Sequence, residues 1–224
     1  MSQLNHELKS LKEEVIVMWN LVHSQLLKSL SALINFDKDL AREIMMIEKR
    51  VNATELKIDR DCENIFALYC PVAIDLRFLL AVLKINTNLE RIGDIAEGIA
   101  KLIVNTEKSF RPELLDATKI IEMFHESEQM TQLIHTAFIN EDSSAARTIF
   151  KRDELLDDIN RRATSLIMDY LKKFPEDTEQ ALNILSIIRR LERVGDQAEN
   201  IAEEIIFYIE AKVLKHTNKR TGNE

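Results

Sequence analysis

Residues 88–100 read NLERIGDIAEGIA, and residues 190–202 read RLERVGDQAENIA. Aligned from Leu89 and Leu191, nine of twelve positions agree; the exceptions are Ile92/Val194, Ile95/Gln197 and Gly98/Asn200. The copies stand 102 residues apart in a chain of 224. Self-similarity at nearly half the chain length marks a duplicated structural unit. Each copy carries a glycine, Gly93 or Gly195, inside what reads as a helix, where glycine costs about 1 kcal/mol relative to alanine.

Working outward, apolar residues at helical spacing begin with Leu4, Leu8, Leu11, Val15, Met18, Val22, Leu26 and Leu33. This predicts a first helix to about Asn35, with Asp37 as a capping acid for a second from about Lys38 to Tyr69. Pro71 opens a third, ending near Asn105, since proline is tolerated in a first helical turn. The plan then repeats. One helix runs from Pro112 to about Ile139, a second from the Asn140-Glu141-Asp142-Ser143 break to Phe174, and a third from Pro175 to about Leu214, before a polar tail from His216. The expected fold is all-α: two tandem three-helix bundles, residues 1–107 and 108–224.

Composition agrees. The chain is 46% hydrophobic and 30% charged with only four Gly and three Pro, as expected of long helices. A net charge of −8 argues against a nucleic-acid binder, which needs a basic surface. The opening MSQLNHELKS has no apolar signal core, and the longest apolar run, Phe78–Leu83, cannot span a bilayer. A soluble cytoplasmic protein is expected, associating with membranes only through partners. Cys62 and Cys70 lie outside any CxxC spacing and read as buried free thiols. Trp19 and the seven methionines, Met45 and Met46 included, read as core packing.

At about 100° per residue, Glu90, Asp94, Glu97 and Lys101 share one helix face, opposite Ile92, Ala96, Ile99 and Ile103. Glu192, Asp196, Glu199 and Glu203 repeat the design. An acidic stripe is ordinarily the solvated side of an amphipathic helix. Against that, like charges one turn apart are mildly destabilising, and both halves keep them beside a glycine. Such a glycine lets a neighbouring helix or a ligand approach the backbone.

Two carboxylates one turn apart can share a hard cation through oxygen ligands. One pair is too few, so the preceding helix must contribute. There Asp153 and Asp157 repeat the spacing, with Asp158 beside them; Glu48 and Asn52 hold the corresponding place in the first half, and Glu55 with Asp59 offers another pair.

At these residues the chain resembles the PhoU family. The resemblance rests on LERIGD at 89–94 and LERVGD at 191–196, on PVAIDLR at 71–77 and on RVNATELKID at 50–59, and it covers nearly the whole chain. It implies a six-helix, two-repeat cytoplasmic protein, often a homodimer. Some members carry iron or zinc clusters, or bind manganese or magnesium, through the ExxxD acids. The family acts without catalysis, linking the phosphate ABC transporter and its ATPase to the phosphate sensor histidine kinase, and keeps the starvation response off when phosphate is plentiful. Carried over, the implied ligands are Glu90, Asp94, Glu192 and Asp196, with Asp153 and Asp157 as partners. The first half departs at Asn52, where its counterpart is Asp157, and PVAIDLR has no second copy, the equivalent region reading PEDTEQA.

Other chemistry is thinly represented. Glu122 and His125 give a single ExxH, whereas a di-iron bundle needs two. Neither a phosphate-binding P-loop nor a GxSxG nucleophile occurs. Two other readings stay open beside the regulator: a carboxylate-bridged metal enzyme, and a structural helical adaptor with solvated acids. Arg91, Arg189, Arg190 and Arg193 flank the acid pairs, in reach of a partner or phosphate.

Overall fold

The computed structural model describes residues 3–214. Helices α1 (Gln3–Asn35), α2 (Lys38–Tyr69) and α3 (Ala73–Asn105) form the first repeat. The second has five pieces: α4 (Pro112–Thr118), α5 (Ile120–Asn140), α6 (Ser143–Arg147), α7 (Ile149–Leu171) and α8 (Thr178–Glu210). By order, α4 with α5 answers α1, α6 with α7 answers α2, and α8 answers α3. The two-bundle plan read from the sequence is the fold, with two helices of the second bundle each divided.

Local chemistry explains the breaks. The expected Pro112–Ile139 helix is interrupted at Lys119, which takes a left-handed φ of 56°. Just before it, the Thr118 hydroxyl donates back to the Leu114 and Leu115 carbonyls, a bond that competes with the helix ladder and bends it. At Thr148 the N–H turns to the Ala145 and Ala146 carbonyls, tightening the chain between α6 and α7. The third helix starts at Ala73 rather than Pro71, because Cys70, disfavoured from the helical region by the proline that follows, ends α2 in a left-handed conformation. The fifth expected helix stops at Leu171, and a 3-10 turn at Pro175–Asp177 leads into the last. That last helix ends at Glu210, where Ala211 turns left-handed. The reading of the tail from His216 onward lies outside the described residues. The expected cap is in place, Asp37 Oδ1 accepting from the N–H groups of Asp39 and Leu40, and within the Asn140–Ser143 break Asp142 Oδ1 accepts from those of Ser144 and Ala145.

The apolar stripe of α1 is buried as spaced, from Leu11 through Val15, Met18, Trp19, Val22 and Leu26 to Leu33. It joins stripes of the other helices in one hydrophobic core that runs through both repeats. Two antiparallel seams tie the repeats together. Along α1 and α5, Lys12 pairs with Glu141, Trp19 Nε1 donates to the Thr131 carbonyl (3.2 Å), and His23 meets Glu128 (3.2 Å). Along α3 and α8, Arg77 reaches the Tyr208 carbonyl, Lys84 pairs with Glu204 (3.0 Å), and Arg190 lies against Gly98.

Some finer expectations need correction. Cys62 is a buried free thiol, but Cys70 is exposed, because the chain reverses at that residue between α2 and α3. Trp19 is core, whereas Met46 and Met168 face outward on the polar sides of their helices. No helix among the described residues is long and apolar enough to cross a membrane.

Candidate functional site

The glycine of each repeat motif is buried, and each has a carboxylate seated on it from the neighbouring helix. Glu48 of α2 is 3% exposed, and its Oε2 would stand 2.8 Å from a β-carbon placed on Gly93. Asp153 of α7 is 8% exposed; a β-carbon on Gly195 would overlap its Oδ1 outright. Glycine at 93 and 195 therefore serves close approach, not flexibility: a β-carbon at 195 has no room, and one at 93 would have to displace the Glu48 carboxylate. The same glycine–acid pairing in both halves explains why each copy tolerates a helix breaker.

Around these two seats the acids fall into equivalent rows. In the first repeat Glu48, Asn52, Glu55 and Asp59 follow one face of α2, opposite Glu90, Asp94 and Glu97 of α3. In the second, Asp153, Asp157 and Asn160 of α7 face Glu192, Asp196 and Glu199 of α8. The Asn52/Asp157 mismatch is thereby compensated one turn on, where Glu55 answers Asn160. All eight residues named from the sequence lie on these two seams. The seams are neither core nor open surface: Glu48 and Asp153 are buried, Glu90, Asp157 and Glu192 half-buried, and Asn52, Asp94 and Asp196 exposed.

Electrostatics follow from that placement. Burial raises the Glu48 carboxyl to about 7, against a 2.7 Å hydrogen bond donated by Gln25 Nε2, with Asp94, Glu97 and Glu90 raising it further. Burial likewise raises Asp153 to about 7, with Glu199, Asp157, Asp196 and Glu192 adding to it. Glu90, Glu192 and Glu55 are shifted upward too, first by desolvation and then by the acids beside them. Each seat leaves an oxygen without a hydrogen bond, Glu48 Oε1 and Asp153 Oδ1. A cation would remove both penalties at once, by supplying the missing partner and by neutralising the mutual repulsion.

The donor set is all oxygen, which suits hard cations such as iron, manganese or magnesium better than a structural zinc. Among the described residues, no three acidic, histidine or cysteine side chains converge closely enough to hold a metal ion as they stand. Cation binding on either seam therefore calls for side-chain rotation. Sequence reasoning missed Gln25, whose signal was a polar residue inside the α1 apolar stripe, and Asn160, which hydrogen-bonds Glu192. The lone ExxH is a surface feature: Glu122 and His125 are exposed, and Glu122 pairs with Lys119.

Fold and site together define a duplicated three-helix protein in which each repeat sets a buried carboxylate onto a helix glycine and ranks further carboxylates beside it. The chain belongs to the PhoU family: the PhoU domain matches residues 15–103 and again 120–205. It is 31% identical over 216 residues to a phosphate-specific transport system accessory protein PhoU homolog of Burkholderia sp, covering 96% of this chain and 92% of that one. It is 30% identical to the accessory protein PhoU of Escherichia coli (strain K12), covering 96% and 88%. The crystal structure of PhoU from Pseudomonas aeruginosa superposes with a TM-score of 0.87 at 30% identity, covering 94% of this chain and 100% of that one. A phosphate transport system regulatory protein PhoU from Streptococcus pneumoniae gives 0.84 at 29% identity, covering 94% and 99%.

Proposed function

We propose that the protein is a non-catalytic, cytoplasmic regulator of phosphate uptake. It acts by contact between the phosphate ABC transporter, through its ATPase, and the phosphate sensor histidine kinase, and it restrains the starvation response when phosphate is plentiful. Family membership over nearly the full length supports the accessory role, since the relatives carry that description. On this reading Glu90, Asp94, Glu48 and Asn52 hold metal on one seam, and Glu192, Asp196, Asp153 and Asp157 on the other. The observation that carries the metal assignment is the paired seat: a buried carboxylate with an unpartnered oxygen against the glycine of each LERxGD motif. Bound metal supplies positive charge that draws each acid row together and stiffens the α2–α3 and α7–α8 faces for docking.

The test is elemental analysis of chelator-free protein beside a variant with Glu90→Gln, Asp94→Asn, Glu192→Gln and Asp196→Asn. Both proteins are then offered to membranes bearing the transporter and to the kinase. Metal and partner binding in the parent, both lost in the folded variant, is the expected result. Metal-free protein after exposure to iron, manganese and magnesium would remove the metal assignment. Metal without any partner contact would remove the regulatory one, and point back to an enzyme or an adaptor.

A further inference from the structure

The two motif copies meet where α3 crosses α8, and there the duplication is broken in a concerted way. Residue 88 is Asn where its counterpart 190 is Arg, and residue 98 is Gly where its counterpart 200 is Asn. In space these two departures touch. The Arg190 guanidinium lies on the α3 backbone at Gly98, where a β-carbon would overlap its Nη1. The counterparts Asn88 and Asn200 line a separate groove with Lys84, Arg91, Glu203 and Glu204. Where one side of the crossing has Asn88 and Asn200 lining a groove, the other has Arg190 on Gly98, at a helix-interior cost of about 1 kcal/mol for the glycine. Local stability does not account for that exchange.

What it creates is a cleft of about 140 Å³ walled by Arg91, Arg190 and Arg193, with Asp94 and Ile95 completing it. Arg91 and Arg193 are the same position of the two LER motifs, brought together across the crossing. Arg190 Nε is buried and makes no hydrogen bond. The arginines that form ion pairs among the described residues lie elsewhere. Three guanidinium groups around one small space, with Arg190 Nε unspent, match a compact multivalent oxyanion, because their planar forks fit its paired oxygens. Glu90 and Glu192 attract Arg91 and Arg193 from outside the cleft, and the one carboxylate that lines it, Asp94, narrows the choice. Asp94 repels an anion without a proton, such as sulfate, but accepts a hydrogen bond from the P–OH of hydrogen phosphate.

We propose that the Arg91–Arg190–Arg193 cleft is a binding site for free inorganic phosphate as the hydrogen phosphate dianion. In the metal-free protein the three arginines hold its charged oxygens and Asp94, which the metal reading assigns to the α2–α3 seam, reads its remaining proton. This deepens the regulatory reading, on which its physiological meaning rests, by naming the effector and placing it at the junction of the repeats.

The test is titration calorimetry on chelator-treated full-length protein at fixed ionic strength and slightly alkaline pH. The probes are inorganic phosphate, arsenate, sulfate and glycerol 3-phosphate. Phosphate and arsenate bind; sulfate and the monoester, whose dianion lacks the proton, bind at least about tenfold more weakly, the scale of one charge-assisted hydrogen bond. Arg190→Gln and Arg193→Gln each weaken phosphate by about tenfold or more. Asp94→Asn brings phosphate and sulfate towards equal affinity. Circular dichroism establishes that each variant is folded. Absence of phosphate binding to the folded parent would overturn the assignment. So would equal affinity for sulfate, unchanged binding in the arginine variants, or binding that appears only after metal is added. None of these readouts involves the transporter or the kinase, so failure of the regulatory reading would leave this outcome standing.

Discussion

Asp153 of α7 lies so close to Gly195 of α8 that the glycine has no room for a methyl group, and Leu156 Cδ1 closes the same space at 2.7 Å. The first repeat holds Glu48 over Gly93 in the same relation, but with a longer side chain that can swing aside. The two seats therefore differ in how much intrusion they tolerate.

Gly195→Ala is expected to destabilise the protein by roughly 1–3 kcal/mol despite alanine's better helix propensity, because overpacking displaces Asp153 and Leu156. Gly93→Ala costs less, since the Glu48 carboxylate can move. Denaturant unfolding of both variants checks this, with Gly195→Ala/Asp153→Ala recovering much of the loss. If Gly195→Ala is as stable as the parent, the seat is not close-packed.

Metal-free protein is expected to lose stability as pH rises from about 5 to about 7. The Glu48 and Asp153 carboxyls are raised to about 7 from ordinary values of 4.5 and 3.8, so the folded state holds protons that the unfolded chain has released. That contribution is complete below the unfolded values and gone above the folded ones. Glu48→Gln and Asp153→Asn flatten the slope and raise the midpoint above pH 7. Thermal melts across pH read the effect, and a parent profile that climbs from pH 5 to 7 would contradict it.

Divalent or ferric cations are expected to raise the melting temperature more at pH 8 than at pH 6, because binding must displace the protons held by Glu48 and Asp153. Glu48→Gln/Asp153→Asn lowers both the increment and the proton release. Calorimetry in buffers of different ionisation enthalpy counts those protons.

Trp19→Ala is expected to cost about 3–5 kcal/mol. Trp19 is 1% exposed, donates to the Thr131 carbonyl, and packs on His135 and Phe138 across the α1–α5 seam. Because the core runs through both repeats, the variant unfolds in one transition at lower denaturant. Two separated transitions would show that the bundles fold independently.

Lys119→Gly is expected to stabilise the protein by about 0.5–1 kcal/mol, since Lys119 is exposed and pays a left-handed penalty that glycine does not. Chemical denaturation at neutral pH measures it.

Helix order and the duplication were legible in the sequence because apolar residues at a 3.6-residue period and two nearly identical motif copies are local signals. The capping acid Asp37 and the break at residues 140–143 were legible for the same reason. The breaks at Lys119 and Thr148 were not, since they depend on threonine side chains competing for backbone carbonyls. The eight acidic and amide residues named from the sequence lie along the two seams, yet their helical wheels placed them only on polar faces. A wheel cannot tell a face turned to water from one turned to the next helix.

By itself, then, the sequence determined six helical stretches, their pairing into two repeats, and a carboxylate pair beside a glycine in each. These follow from period, propensity and repetition, all short-range properties. Tertiary structure alone decided that the glycines exist to admit Glu48 and Asp153, and that those two acids, not the ExxxD pairs, are the buried and proton-holding ones. It also decided that Arg91, Arg190 and Arg193 share one cleft although they stand on different repeats. Burial and the distances between charges are set by how helices pack, and they fix both the ionisation of a carboxylate and the company a guanidinium keeps.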